Sequence, residues 1–572
     1  MSILSRISPN ARTPLGCLII LLGIFYAYAQ VGGHRFVEFD DGLYAFDNRR
    51  LIVGFNWENF VWAFTNVDAV NWHPLTWLSL FMDRELFGPR PGGYLLMNVA
   101  WHSLAACLCY IAFKKTTNSH FIGLTIGLIF ALHPANVENV AWLSSRKSIL
   151  DAGFWFLGII FYVKLLQTKN RVYYLLVFLT HLLGLMSKSM HVTFPCTLWL
   201  IHALYYASLP REALKQTSWR AEIKAALLYS APMLLISIYF SLVTLSAQTP
   251  AMSTLDYMPV IQRVINSTLS YERYLWMFFH PTQFAPFYPL FNSDLILSKL
   301  FFPACFLILV TTLCLLVVRK QPSFLIGWLW YLGTMVPVIG LVQVGSQSHA
   351  DRYLYIPCIG LALILVTFFK LIPNLNARAK WFAPLWLVLI TVSLASATKI
   401  QAAYWKNGVT LFQHSLAVTG DCMTSVIALS AAYGREDRAE EGINFLDEKI
   451  SISIKNTGNR ARLLTQYAGL ALKNKQPEKA LDALKNAIDL GNTDRRTYFL
   501  TVVAALESKN ITDAEKYYAL LNATTNIGNT DFSYTTMNLE FSIQIMSEWI
   551  EQKKLELEAI SLENSSSATY PE

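Results

Sequence analysis

The chain has 572 residues, of which 54% are hydrophobic and 15% charged, and its mean hydropathy is +0.37, so most of its length suits hydrocarbon rather than water. The net charge of +8 resides in Lys and Arg gathered in short loops between apolar runs, the orienting bias of membrane proteins, which excludes nucleic acid as the partner. The eight cysteines form no readable disulfide framework or Cys-based metal site.

Apolar runs long enough to cross about 30 Å of hydrocarbon are predicted near 15–33, 93–113, 119–134, 149–166, 172–187 and 189–206, then 225–246, 297–318, 323–344, 353–371 and 380–398. The first is read as a retained helix rather than a cleaved signal, because no small-residue cleavage site is clear and many spans follow. That makes about eleven crossings. With Arg6 and Arg12 in the cytoplasm, the loops on that side carry Lys114-Lys115, then Lys164, Lys169 and Arg171, then Arg211, Lys215, Arg220 and Lys224, then Arg319-Lys320, and last Lys370, Arg378 and Lys380. Every inter-span loop placed inside is therefore basic. Residues 34–92, 134–148, 247–296 and 345–352, and the tail after 399, fall on the exoplasmic side. The stretch 265–279 is half apolar, contains Glu272 and Arg273, and reads as an interfacial or re-entrant helix; if it spans instead, the tail moves to the cytoplasm.

The expected division is a multi-spanning domain over 1–399, a helical domain over 400–560 and a polar tail over 561–572. Past Tyr404 apolar and charged positions alternate at helical spacing. Leu472 to Ala480 aligns with Leu506 to Ala514 at a shift of 34 residues, the tetratricopeptide period, and Arg438 to Leu446 resembles a looser third copy. An ordinary helical bundle is the competing reading of this tail.

The exoplasmic segments hold varied polar residues. Asp40 and Asp41 are adjacent carboxylates a few residues beyond the first span, ahead of a long loop that contains Asn71-Trp-His-Pro-Leu-Thr-Trp77 and an aromatic series suited to the headgroup layer. In the second segment Glu138 and Arg146 are eight residues apart, two helical turns and so roughly one face, which would aim an acid and a base into the same cavity. Lys188 and His191 follow the fifth span, and Arg352-Tyr353 lies in the fourth segment. Cations on the exoplasmic face run against the orienting bias, and an anionic lipid headgroup is the simplest reason for them. Taken singly, His73, His133, His191 and His349 read as hydrogen-bonded interfacial histidines, and none has zinc-motif spacing.

Phe39-Asp-Asp-Gly42, Asn71 to Trp77, His133 to Trp142, Gly184-Leu-Met-Ser-Lys188 and Ala350-Asp-Arg-Tyr-Leu-Tyr-Ile-Pro357 run in order across the membrane part, with the repeat-like tail behind them. Together they resemble the C-fold membrane glycosyltransferases, in particular the transmembrane and tetratricopeptide-repeat O-mannosyltransferases and their bacterial relatives. The fold so implied is all-α, about eleven transmembrane helices followed by tetratricopeptide-like helices. The resemblance implies transfer of a sugar, mannose among the candidates, from a polyprenyl-phosphate carrier to a protein Ser or Thr hydroxyl. The setting it implies is the periplasmic face of a bacterial inner membrane, where the C-terminal domain would also lie. It carries the catalytic acid onto Asp40 or Asp41, without choosing between them. The donor-side candidates are Arg352, Lys188, Arg146, Glu138, His73, Tyr353 and His191. No metal site is assigned, and a divalent metal is left open as a cofactor. The chain departs from the family pattern at Ser148, where an acid is usual after the Arg-Lys pair; Asp151 comes three residues later.

Chemistry agrees with those roles. A carboxylate accepts the hydroxyl proton as an oxocarbenium-like transition state forms. The phosphate leaves as a stable anion and needs positive charge rather than an acid. A single attack opposite the leaving phosphate inverts the anomeric carbon. Two other readings use the same features: a transferase that modifies a glycolipid or polysaccharide, and a lipid-linked sugar transporter or flippase with a docking domain. A transporter would place ionisable groups near the midplane and show two matching halves, neither of which is evident.

Overall fold

The computed structural model describes residues 8–67, 71–210, 212, 218–249, 258–290, 296–375, 382–453, 456–524 and 546–557. The polar tail over 561–572 and the topogenic Arg6, Arg211, Lys215, Arg378 and Lys380 lie outside the described residues. The described part is helical, apart from one antiparallel pair in which Tyr288 faces His349 and Pro289 faces Gln347.

The chain folds as two compact units: Met1–Phe36 with Tyr44–Lys406, and Val37–Leu43 with Asn407–Glu572. The first is the membrane unit. Among the described residues six helices have the length and apolar composition to cross a bilayer: Ala11–Gly33, Pro91–Thr117, Leu143–Thr168, Trp219–Gln248, Leu297–Val317 and Pro384–Tyr404. A seventh crossing arises if His120–Leu132 and Pro134–Ala141, bent by 55° at their junction, form one span. Arg171–Leu185 and Cys358–Leu371 are apolar but shorter. The count of about eleven is therefore not reached by this measure, because the predicted runs at 189–206 and 323–344 contain helices of only 14 residues, Phe194–Ala207 and Pro322–Met335. The half-apolar stretch at 265–279 belongs to a continuous 20-residue helix, Val260–Phe279.

Small residues set how closely these helices pack, as expected where apolar side chains gain nothing by leaving lipid. A Cβ on Gly360 would meet the Gly327 carbonyl oxygen at 2.2 Å, and one on Gly327 would meet the Gly360 carbonyl at 2.5 Å, so helices Pro322–Met335 and Cys358–Leu375 touch backbone to backbone. Gly123 and Gly127 likewise bring His120–Leu132 against Tyr110 and Lys114 of the Pro91–Thr117 helix. Pro134, which has no amide hydrogen, accounts for the bend after Leu132. His133 closes it: Nδ1 accepts the Ala135 amide at 3.2 Å, while Nε2 lies 3.0 Å from the Phe278 carbonyl.

The second unit is a series of helices beginning with Gly408–Thr419 and Met423–Arg435 and ending, among those named, with Ile511–Ala523. One helix-ending turn recurs at four places among the described residues. Gln476 donates its amide to Ala471 at 2.8 Å, Asn492 to Ala487 at 3.0 Å, Asn510 to Ala505 at 2.7 Å and Arg438 to Tyr433 at 2.9 Å, and the residue before each donor (Lys475, Gly491, Lys509, Asp437) has φ of 55°, 96°, 61° and 56°. This six-to-one closure with a left-handed residue is a Schellman ending. Ala480 and Ala514, 34 residues apart, are both fully buried, as are Ala468, Ala471, Ala504 and Ala505, so small side chains line the core where the helices approach.

Candidate active site

Chain geometry first separates two residues that sequence spacing had joined. The helix Val137–Ala141 ends at Trp142, and a tight turn over Leu143–Ser145 intervenes before the long helix that begins at Arg146. The eight-residue interval between Glu138 and Arg146 is therefore not two turns of one helix, and the inference that both point into one cavity is corrected. Each finds another partner.

Glu138 pairs with Arg352, 214 residues away. The guanidinium Nη1 donates to Glu138 Oε1 at 2.6 Å and the Arg352 backbone amide donates to Oε2 at 2.7 Å. Gln347 supports the pair, accepting from Arg352 Nη2 at 3.2 Å and donating to the Tyr353 hydroxyl at 2.9 Å. The guanidinium carbon also lies 5.3 Å from the ring centre of Trp142 and 5.0 Å from that of Tyr353. This planar cation is held on several sides, while its side chain keeps 13% exposure.

Lys188 completes the group. Its Nζ donates to Ser148 Oγ at 2.9 Å, and the charges of Asp151, Arg352 and Glu138 all act on it. Burial lowers its pKa to about 8, and the neighbouring Asp151 opposes that fall. Two cations and two carboxylates thus share one neighbourhood of the membrane unit. Ser148, where the family pattern has an acid, is the lysine's hydrogen-bond acceptor.

Asp351 lies beside this group and was not singled out in the sequence. Tyr288 donates to its Oδ1 at 2.8 Å, and the Tyr288 ring stacks 4.1 Å from His349. Burial, reinforced by the charge of Glu138, pushes the Asp351 carboxyl well above the ordinary carboxylate range. Burial likewise lowers His349 to about 3 and keeps it neutral. The Val260–Phe279 helix supports this loop through side-chain bonds: Tyr274 Oη donates to the Ala350 carbonyl at 3.1 Å and Asn266 Nδ2 to the Ser348 carbonyl at 3.2 Å. No local signal in the sequence links Tyr288 to Asp351 or Gln347 to Arg352.

Of the other candidates, His191 adjoins this group through Asp151, whereas Arg146 and His73 have other partners. Arg146 is fully buried and committed: Nη2 reaches Asp83 Oδ2 at 2.5 Å and the Tyr94 carbonyl at 2.8 Å, while Nε bonds Asn98. His191 bonds Asp151 through Nδ1 and packs edge-on to Trp155 at 5.0 Å. A Cβ on Gly184 would run into the His191 ring, so that glycine is what admits the imidazole. His73 is buried in a stack with Tyr44 at 5.7 Å and Trp77 at 5.3 Å. Lys147 lies 5.0 Å from the centre of the Tyr44 ring and donates to the Tyr44 hydroxyl at 3.2 Å. Burial, with Lys147 adding, holds His73 well below the usual histidine range.

Asp40 and Asp41 fall in the short segment that belongs to the C-terminal unit. Asp41 is buried and its Oδ2 accepts the Val37 amide at 2.9 Å, whereas Asp40 is partly exposed. Among the described residues no group of three His, Cys, Asp or Glu side chains is placed to hold a metal ion.

No family model matches the chain. Curated relatives do. A protein O-mannosyl-transferase of Caenorhabditis elegans is 23% identical over 363 residues, which is 61% of this chain and 49% of that protein. The protein O-mannosyl-transferase Tmtc1 of Drosophila melanogaster is 28% identical over 138 residues, 24% of this chain and 16% of the relative. Human protein O-mannosyl-transferase TMTC4 is 27% identical over 178 residues, 26% of this chain and 24% of the relative. The chain thus spans about half the length, or less, of the relatives it matches. It is an integral membrane protein with distant sequence similarity to the transmembrane O-mannosyltransferases.

Proposed function

We propose that this chain is a polyprenyl-phosphate-sugar-dependent glycosyltransferase of the C-fold type. It transfers a sugar, with mannose the first candidate, to a protein Ser or Thr hydroxyl at the periplasmic face of a bacterial inner membrane, with inversion. The observation that carries the reading is the group of Arg352 and Lys188 with Glu138 and Asp151. A guanidinium held in place by Glu138 and Gln347 and a neighbouring ammonium are suited to the anionic phosphate that departs when the glycosidic bond breaks. The named activity of the relatives agrees with it.

In this mechanism Arg352 and Lys188 bind the donor phosphate and stabilise it as it leaves. Glu138 and Gln347 hold the guanidinium in place, and Tyr353 lines the same region. Asp40, the more exposed of the acid pair, accepts the hydroxyl proton, while Asp41 fixes the turn through the Val37 amide. His73 and His191, with their buried stacks, shape the surrounding core, and Arg146 anchors the fold through Asp83. The C-terminal helices, read as tetratricopeptide-like, present the acceptor protein.

Membranes carrying Asp40→Asn, Asp41→Asn, Arg352→Gln or the parent protein test the assignment by mass spectrometry of their glycoproteins and glycolipids. Loss of sugar from Ser and Thr residues in the Asp40→Asn and Arg352→Gln membranes supports it. Stably inserted variants with unaltered glycans overturn it, and loss confined to glycolipids or polysaccharide selects the lipid-directed transferase.

A further inference from the structure

The acid-bearing segment Val37–Leu43 is continuous in sequence with the membrane unit on both sides, yet it packs with the C-terminal helices. Three contacts fasten it there. Arg435, at the end of the Met423–Arg435 helix, reaches Glu38 Oε1 through Nε at 2.8 Å, and the Glu38 side chain is only 7% exposed. The Phe39 ring stands edge-on to Phe412, 6.3 Å between centres. Glu38 also lies against the N-terminus of the Gly408–Thr419 helix, whose N-cap Asn407 forms a capping box with Thr410. There a Cβ on Gly408 would strike the Glu38 carboxylate and the Ala432 side chain. The positive end of a 12-residue helix and a guanidinium therefore both favour an anion at this point. Only Phe39 separates Glu38 from Asp40 along the chain, and the Val37 amide is bound by Asp41 Oδ2. The backbone that carries the acids is thus tied at Glu38, at Phe39 and within its own turn.

We propose that Arg435, through Glu38, is a positioning residue for the Asp40-Asp41 pair. The C-terminal helices then hold the acid-bearing segment in place, a role separate from docking the acceptor. This rests on the function proposed above. Its consequence differs from that of a docking domain, because loosening the anchor lowers the rate of transfer at saturating acceptor, whereas a dock sets acceptor affinity.

The test uses the full chain with Arg435→Met, Arg435→Lys and Gly408→Ala, a lipid-linked sugar donor and a short Ser/Thr peptide. A displacement of the base by about 1 Å costs on the order of a hundredfold in rate, so Arg435→Met should lower kcat by that order with the peptide KM unchanged. Arg435→Lys, which keeps the charge, should recover much of the loss. Hydrogen exchange of residues 37–43 should quicken in Arg435→Met and Gly408→Ala and stay slow in Arg435→Lys. A raised peptide KM with unchanged kcat overturns the proposal, and so does unaltered exchange of 37–43 in Arg435→Met. If the parent protein transfers no sugar at all, the proposed function fails; the exchange measurement still decides whether Arg435 holds the segment.

Discussion

Removing Arg146 is the sharpest test of how the membrane unit is held together. The side chain is fully buried, its partner Asp83 keeps 2% exposure, and their contact is 2.5 Å. Arg146→Met fills much of the same space and leaves the carboxylate uncompensated, a change worth about 3–5 kcal/mol of destabilisation. Adding Asp83→Leu removes the orphaned charge but still leaves the Tyr94 carbonyl and Asn98 Oδ1 without this donor, at about 1–3 kcal/mol. The double variant should therefore be more stable than the single by about 2 kcal/mol, the difference between those two costs. Equilibrium unfolding in mixed micelles reads these numbers. Burial already raises the Asp83 pKa, with Arg146 opposing the rise. Without that opposition the folded state holds the proton to a higher pH than the unfolded chain does, so the penalty grows as pH rises and fades as pH falls toward the unfolded value. The deficit of Arg146→Met should accordingly shrink in acid. A single variant within about 0.5 kcal/mol of the parent, or a double variant no better than the single, would refute this account of the pair.

Lys188 should impose a basic limb on the donor kcat/KM, which reports the free enzyme: activity falls as pH rises through about 8, where the ammonium loses its charge. Lys188→Arg, always protonated, should abolish that limb, and a pH profile with the limb intact would count against the lysine as phosphate ligand. Burial lifts the Glu38 carboxyl to about 7, against the pull of Arg435 and with Glu436 adding to the rise. The unfolded carboxyl ionises near 4.5, so folding loses stability as pH rises from there to about 7; above that the charged pair is formed. Protection of residues 37–43, corrected for intrinsic exchange, should then weaken from pH 4.5 to about 7 in the parent, level off above that, and stay flat in Glu38→Gln. Gly360→Ala drives a methyl into the Gly327 carbonyl and should cost about 1–3 kcal/mol in the same micellar unfolding assay, with Gly327→Ala similar.

Much of the helical architecture was legible because its signals are local. Apolar runs of spanning length, basic loops and the 34-residue interval between Ala480 and Ala514 each lie within a few turns of chain. Span counting was less secure, since continuous hydrophobicity over 189–206 and 323–344 does not reveal where a helix starts late or ends early. The Glu138 and Arg146 inference failed for the same local reason: periodicity assumes an unbroken helix, and the turn at Leu143–Ser145 resets the phase.

Composition and pattern alone determined that this is a helical membrane protein with a second helical body, and which segments carry acids and cations. Partner choice was left to the tertiary structure. It joined Glu138 to Arg352 across 214 residues and Arg146 to Asp83 across 63, and assigned the seven residues around Asp40 and Asp41 to the C-terminal helices. The physical reason is that hydrophobic burial acts on any apolar segment and so can be read locally. An ion pair or a glycine contact depends on which two distant surfaces meet, and that is fixed only when the whole chain packs.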